Sequence, residues 1–287
     1  LRIDDARPVT SGREDLPAHS FWAIGPGFSW QALRAVRDER VFAGGVFVLL
    51  VRDGAALADL ELLDPDERAR HARLHQQQDR DNFAIGRLLV HHLVRPRVRA
   101  PLKDQDQARK PLAREPQQRS PDDGAQAPAA ALELGAHGKP ALAGAAQFNL
   151  AHSGSFVACA VCALAPVGID VETFARLEHF EDLLARVAHP RERAAVEAAP
   201  QTRRRALFER LWTRKEAVIK AVGAGFSLPL GQIDVALGED IPCIATPAAL
   251  RILDLDLERC GVAGALAVDP SVRGVDVCLL DLRGAHV

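Results

Sequence analysis

Gly168-Ile169-Asp170-Val171-Glu172, taken with Trp212-Thr213-Arg214-Lys215-Glu216-Ala217-Val218-Ile219-Lys220 further along, is the pair of stretches around which this 287-residue chain is organised. After Pro166 the first stretch alternates apolar with acidic side chains, the pattern of a strand whose successive residues point to opposite faces. Asp170 and Glu172 then share a face with Cα atoms roughly 6.6 Å apart, which leaves room for one ion between the carboxylates. The second stretch reads as helix, with Trp212, Glu216 and Lys220 recurring every four residues along one side. A carboxylate and an ammonium are presented together.

Two acids on a strand also fit an edge strand with a solvated face. Burial is favoured by the neighbours, because Gly168, Ile169 and Val171 are small or apolar and Phe156 to Leu164 is almost wholly apolar. Carboxylates beside a buried sheet repel each other by a few kcal/mol at an effective dielectric of about 20, unless a positive charge lies between them. Hard oxygen ligands favour Mg²⁺, which takes one or two protein carboxylates and completes its shell with water and substrate phosphate.

The two stretches resemble the signature pair of the 4'-phosphopantetheinyl transferases, in the larger two-lobed form that serves peptide and polyketide synthases. Gly138-Lys139-Pro140 and Phe148-Asn149-Leu150-Ala151-His152-Ser153 upstream, with Gly223-Ala224-Gly225-Phe226-Ser227-Leu228-Pro229-Leu230 downstream, agree in order and approximate spacing. The resemblance covers about Val41 to Leu280. It implies an α+β fold of two similar lobes, each a small antiparallel sheet packed on a long helix, with the active site in the cleft between them. No internal sequence repeat shows this unaided. The lobes are expected at 41–166 and 167–287, after an irregular extension at 1–40.

The activity so implied is Mg²⁺-dependent transfer of the 4'-phosphopantetheine arm of coenzyme A to a serine of an apo acyl, peptidyl or aryl carrier protein, by a monomer, releasing 3',5'-adenosine bisphosphate. By the same resemblance Asp170, Glu172 and Glu216 hold the Mg²⁺, and Glu216 draws the proton from the incoming serine, directly or through a metal-bound water. Lys220 stabilises the leaving phosphate. His152 and Lys139, the latter beside Pro140 in its turn, grip the coenzyme. Arg80 and Arg87, with His91 a lesser candidate, face the nucleotide end and its 3'-phosphate. Lys215, about 100° round the helix from Glu216, is assigned to the coenzyme without a defined role. Asn82 stands where family members often carry a second Arg, and Ala151 replaces a usual Ser, which removes one hydroxyl from the phosphate's surroundings.

Two other classes fit parts of the pattern. A different Mg²⁺-dependent phosphoryl-transfer enzyme could use the same carboxylates, although the chain has no Walker loop or kinase signature. A non-catalytic protein that binds coenzyme A or a carrier protein is the other.

A formal net charge of -2 gives no general attraction to nucleic acid or a membrane surface. No apolar run reaches the length of a membrane span, and residues 1–20 lack the basic-then-apolar order of a signal peptide, so a cytoplasmic protein is expected. The chain contains no Met, and its first residue reads as lying beyond the native start. Five scattered cysteines do not form a disulfide framework, and Cys159 and Cys162 on one strand would face opposite ways.

Local signals set the remaining expectations. A short helix is expected near Gln31 to Arg37 and a first strand over Val41 to Val51. Asp64-Pro65-Asp66-Glu67 predicts a capped helix start, followed by a basic helix and then one carrying Phe83, Val90 and Leu93 on its apolar side. Residues from about 100 to 134 are polar and rich in Pro, Gln and Ala, which predicts a mobile insertion. Helices are expected over Phe180 to Val187, from His189 to Pro200, and over Thr202 to Val222. Ile233 to Leu237, Leu250 to Leu257, Val262 to Val268 and Val275 to Leu280 read as an antiparallel run of strands. Segregated helices and strands of this kind argue for α+β.

Overall fold

The computed structural model describes residues 18–24, 28–94, 132–135, 139–142, 146–163, 165–173, 180–223, 225–237, 249–255, 257 and 260–283. The expected insertion, apart from residues 132–134, and Gly138 lie outside the described residues. The fold is mixed α+β. Its first sheet contains β1 (Ala18–Ile24), β10 (Gly274–Asp281), β2 (Val46–Arg52), β6 (Phe156–Cys162) and β5 (Gln147–Ser153), in that spatial order. Its second is β7 (Val167–Thr173), β9 (Val262–Val268) and β8 (Arg251–Leu255), antiparallel throughout. A small antiparallel pair, β3 (Leu132–Leu134) and β4 (Pro140–Leu142), is hydrogen-bonded into neither.

Four layers result from which faces are apolar. α1 (Trp30–Phe42) and α3 (Gln77–Leu89) cover the outer face of the first sheet, where Leu33, Ile85 and Leu89 pack with Phe47, Leu49, Val51 and Val161. The inner face of that sheet, with Val48, Leu50, Ala151 and Ala158, packs directly on Val167, Ile169, Val171, Leu253 and Leu266 of the second. The far face of the second sheet, with Ile252, Ala265 and Ala267, receives Leu211, Ala217, Val218 and Ala221 of α6 (Gln201–Val222). α4 (Phe180–Val187) and α5 (Pro190–Ala198) flank α6 through Leu184 and Val196.

Several local signals are realised. α2 (Pro65–Ala72) begins with a full capping box, in which Asp64 accepts from the Glu67 amide at 2.8 Å and Glu67 accepts from the Asp64 amide at 3.2 Å. α5 begins the same way on His189 and Glu192. α6 stops at Gly223, whose φ of 72° is the left-handed conformation that favours glycine at a helix end. Cys159 and Cys162 do face opposite layers, and the described cysteines are free.

Three expectations are corrected. The N-terminal extension is not irregular throughout, since residues 18–24 form an edge strand and α1 runs to Phe42, so the next strand starts at Val46. Residues 233–237 form no strand. Their backbone is satisfied by charged side chains: Ile233 O accepts from Lys215 Nζ at 2.6 Å, Val235 N donates to Glu192 Oε1 at 2.6 Å, and Val235 O accepts from Arg214 at 3.0 Å. Lastly, β10 does not extend the second sheet but lies in the first, parallel to both β1 and β2. Val275, Val277 and Leu279 face one apolar layer while Cys278 and Leu280 face another. A strand buried on both sides needs cover on both, which the centre of the first sheet supplies.

Candidate active site

The site begins with a glycine. A Cβ on Gly168 would lie 2.0 Å from Ala217 O and 2.4 Å from Ala221 N, so only glycine lets β7 lie this close to α6. Two residues along the strand, Asp170 meets Lys220 of that helix, with Nζ 2.6 Å from Oδ1. Glu216 is one helical turn before Lys220 and so shares its face. Glu172 follows Asp170 at the strand's end, and the three carboxylates feel one another's charge.

Burial dominates the electrostatics. The Asp170 carboxyl is pushed up to about 7 by loss of water, a rise that Lys220 opposes through its charge and hydrogen bond and that Glu172 and Glu216 add to. Glu216 is also raised, again chiefly by burial, with Lys220 opposing and Glu172 adding. Each has one buried oxygen without a hydrogen-bond partner, Asp170 Oδ2 and Glu216 Oε1. Orphan carboxylate oxygens on facing elements are the atoms a cation would satisfy. Among the described residues no three His, Cys, Asp or Glu side chains are grouped to hold a metal as they stand, and Lys220 is the cation seated on Asp170. A donor set of one or two hard carboxylates fits Mg²⁺, which draws its remaining ligands from water and substrate.

The other residues of the helical stretch hold it in place. Trp212 packs beside Phe208 in the α6 core. Arg214 is buried, making paired bonds to Asp254 at 2.7 Å and donating to Val235 O and Ala236 O. Lys215 is buried too, 2.8 Å from Glu192 and bonded to Leu230 O and Ile233 O, with its pKa lowered by burial and supported by Glu192. That corrects its assignment to the coenzyme. An ammonium whose donors are spent on a buried carboxylate and two carbonyls, on another side of the helix from Glu216, is not presented to a ligand.

The upstream residues are more widely spread. Lys139 reaches between β7 and the end of α6, donating to Val167 O at 3.2 Å and Ala221 O at 3.3 Å, and burial lowers its pKa to about 8. With Pro140, Phe148, Pro166 and Val222 it lines a cavity of about 300 Å³. His152 is exposed, on the side of β5 shared with Phe148 and Leu150, towards the α3 layer. Arg80 donates to Leu74 O, His75 O and Gln77, bracing the turn between α2 and α3. Arg87 pairs with Glu67 at 3.1 Å and lies over the Phe83 ring, and His91 sits in the π-helical turn that ends α3.

Two departures acquire structural meaning. Asn82 is buried and ties α3 to the β5–β6 turn through Gly154 O at 3.0 Å. Ala151 is buried in the packed seam between the sheets, so a hydroxyl there would face apolar side chains instead of a ligand. Two residues of the Phe148–Ser153 stretch emerge that sequence reasoning gave no role. Asn149 accepts from the Ile169 amide at 2.9 Å, and Ser153 donates to Glu172 at 2.7 Å. Strand alternation was the available signal, since Asn149, Ala151 and Ser153 share the face opposite His152.

Residues 166–260 match the family described as the 4'-phosphopantetheinyl transferase superfamily. This segment contains Asp170, Glu172, Glu216 and Lys220. The 4'-phosphopantetheinyl transferase HetI of a Nostoc species is 35% identical over 122 residues, 42% of this chain and 51% of its own. A 4'-phosphopantetheinyl transferase from Bacillus subtilis is 34% identical over 118 residues, 39% of this chain and 51% of its own. The chain thus spans about half the length of these relatives. A crystal structure of a holo-(acyl-carrier-protein) synthase from Bacillus anthracis, in complex with CoA (3',5'-ADP), aligns with 36% of this chain and 94% of its own at 23% identity, with a TM-score of 0.32.

Proposed function

We propose that this chain transfers the 4'-phosphopantetheine arm of coenzyme A to a serine hydroxyl of an apo carrier protein, releasing 3',5'-adenosine bisphosphate. The observation that carries the reading is the meeting of Asp170 and Lys220 across β7 and α6, with Glu216 on the same helix face and two carboxylate oxygens left without partners. The match of residues 166–260 to the superfamily and the likeness to named 4'-phosphopantetheinyl transferases support the reaction class. We take the two sheets as the cores of two lobes that part near residues 165–167, with the coenzyme's diphosphate beside Asp170 and Glu216, outside their packed apolar seam.

Phosphoryl transfer asks a protein mainly for positioning and for charge where charge develops. Asp170 and Glu216, with Glu172, would hold Mg²⁺, which when bound supplies neutralisation of the diphosphate charge. The serine oxygen forms a bond to the phosphorus that bears pantetheine, and the bond from that phosphorus to the oxygen of the adenosine-side phosphate breaks. Glu216 accepts the serine proton, and its burial-raised pKa makes it the more willing base. Lys220 places its positive charge beside the departing phosphate oxygen, while Lys139, His152, Arg80 and Arg87 are assigned to the rest of the coenzyme.

The test is to incubate the chain with coenzyme A, Mg²⁺ and an apo carrier domain and to weigh the carrier. A mass gain equal to the phosphopantetheine arm, abolished by EDTA, is the expected result. Coenzyme binding without transfer, or modification only when ATP is present, would overturn the reading.

A further inference from the structure

We propose that Ser153 is a positioning residue of the acidic site, its hydroxyl setting the direction in which the Glu172 carboxylate points. This rests on the functional reading above and adds a residue to it. Ser153 ends β5 and is fully buried. Its Oγ donates to Glu172 Oε2 at 2.7 Å, accepts from the Thr173 amide at 3.0 Å and lies 3.3 Å from Thr173 Oγ1. A serine hydroxyl has one proton and two lone pairs. The Thr173 amide fills one lone pair, and an ionised carboxylate can only accept, so the single proton belongs to Glu172. A hydrogen bond to a carboxylate is stronger than a neutral one, and breaking this one leaves the buried Ser153 hydroxyl short of a partner.

The hydroxyl is itself held from two sides. Asn82 of α3 donates to Gly154 O at 3.0 Å and accepts from Gln78 at 3.1 Å, which fixes the turn immediately after Ser153. Gly154 has φ of 55°, and a Cβ there would come within 3.1 Å of Thr173 Cγ2, so the turn lies tight against the end of β7. The β5–β6 turn is thereby pinned between α3 and β7, and Ser153 hands that rigidity to Glu172. A glutamate with free χ angles loses conformational entropy on binding a ligand, whereas one already aimed loses less. With Oε2 engaged, Oε1 is the Glu172 oxygen that Ser153 leaves to the site.

The test compares Ser153→Ala, Ser153→Cys and Ser153→Thr with the unaltered full chain, titrating Mg²⁺ alone by calorimetry and following arm transfer and thermal unfolding. Loss of a group that orients a metal ligand costs about tenfold or more in metal affinity, so Ser153→Ala should bind Mg²⁺ at least that much more weakly, while Ser153→Thr, which keeps the hydroxyl, stays within about threefold of the original. The turnover number should follow the Mg²⁺ affinity, and the KM for coenzyme A should not. Ser153→Cys, close in shape but a weak donor, reports the same loss if the alanine variant fails to fold. Unchanged Mg²⁺ affinity in the alanine or cysteine variant overturns the proposal, as does an equal loss in Ser153→Thr, which would assign the residue to packing alone. An unaltered chain that binds Mg²⁺ yet transfers no arm sinks the functional reading, and the affinity series still decides the role of Ser153.

Discussion

At the scale of single residues, Glu216 and Lys139 each carry a consequence that can be measured. Glu216→Gln keeps the shape and one ligating oxygen but removes the base, so turnover should fall about 100-fold or more, the usual worth of a positioned general base, while the dissociation constant for coenzyme A stays nearly unchanged. Equal losses in rate and coenzyme binding would reduce Glu216 to a ligand. Lys139 bears on stability. Burial lowers it from 10.5 to about 8, so between those pH values the unfolded chain holds a proton that the folded chain does not. Stability therefore rises with pH through that window, and the contribution is lost as pH falls through 8. Lys139→Met should flatten the rise of the urea midpoint between pH 8 and pH 10.5; an unaltered slope would mean that the ammonium is not desolvated there.

Between elements, the contact of β7 with α6 places Asp170 beside Lys220, and it tolerates no side chain at position 168. Gly168→Ala forces a methyl against backbone atoms at 2.0 Å and 2.4 Å, which a helix cannot yield without moving as a whole. Overpacking of this kind costs about 3 kcal/mol, and here it should also part Asp170 from Lys220, so a loss of transfer activity accompanies the fall in denaturation midpoint. A variant as stable and active as the original would contradict so close an approach. The same helix explains why residues 233–237 misread as a strand: alternating Ile233, Val235 and Leu237 have the right period, but Arg214, Lys215 and Glu192 take the backbone groups a neighbouring strand would have used. Period alone cannot tell a paired strand from an extended segment bonded by side chains.

For the molecule as a whole, the return of β10 to the first sheet ties it into one core with β1 and β2, strands more than 220 residues earlier. β10 lies between β1 and β2 and contributes to the apolar layers on both faces of the sheet. Removing residues 274–287 would therefore open the centre of that sheet instead of trimming the second one. The expected outcome is loss of the cooperative thermal transition and of arm transfer together. A shortened chain that still melted cooperatively would show that β10 is dispensable.

What the linear chain determined by itself is whatever depends on neighbours a few residues apart. The capping boxes at Asp64 and His189, the glycine stop at Gly223, and the alternation that sets Asp170 and Glu172 to one side of β7 are all local, and short-range sterics and hydrogen bonds suffice to specify them. Tertiary structure decided which of the charged residues in one helical stretch face the site. Glu216 and Lys220 do, whereas Arg214 and Lys215 are drawn away by the half-buried Asp254 and the buried Glu192, residues distant in sequence whose carboxylates pair with them. It also decided that the Ser153 face of β5, opposite His152, meets Glu172, because which face of β5 meets β7 depends on how two sheets stack and not on any property of β5 alone.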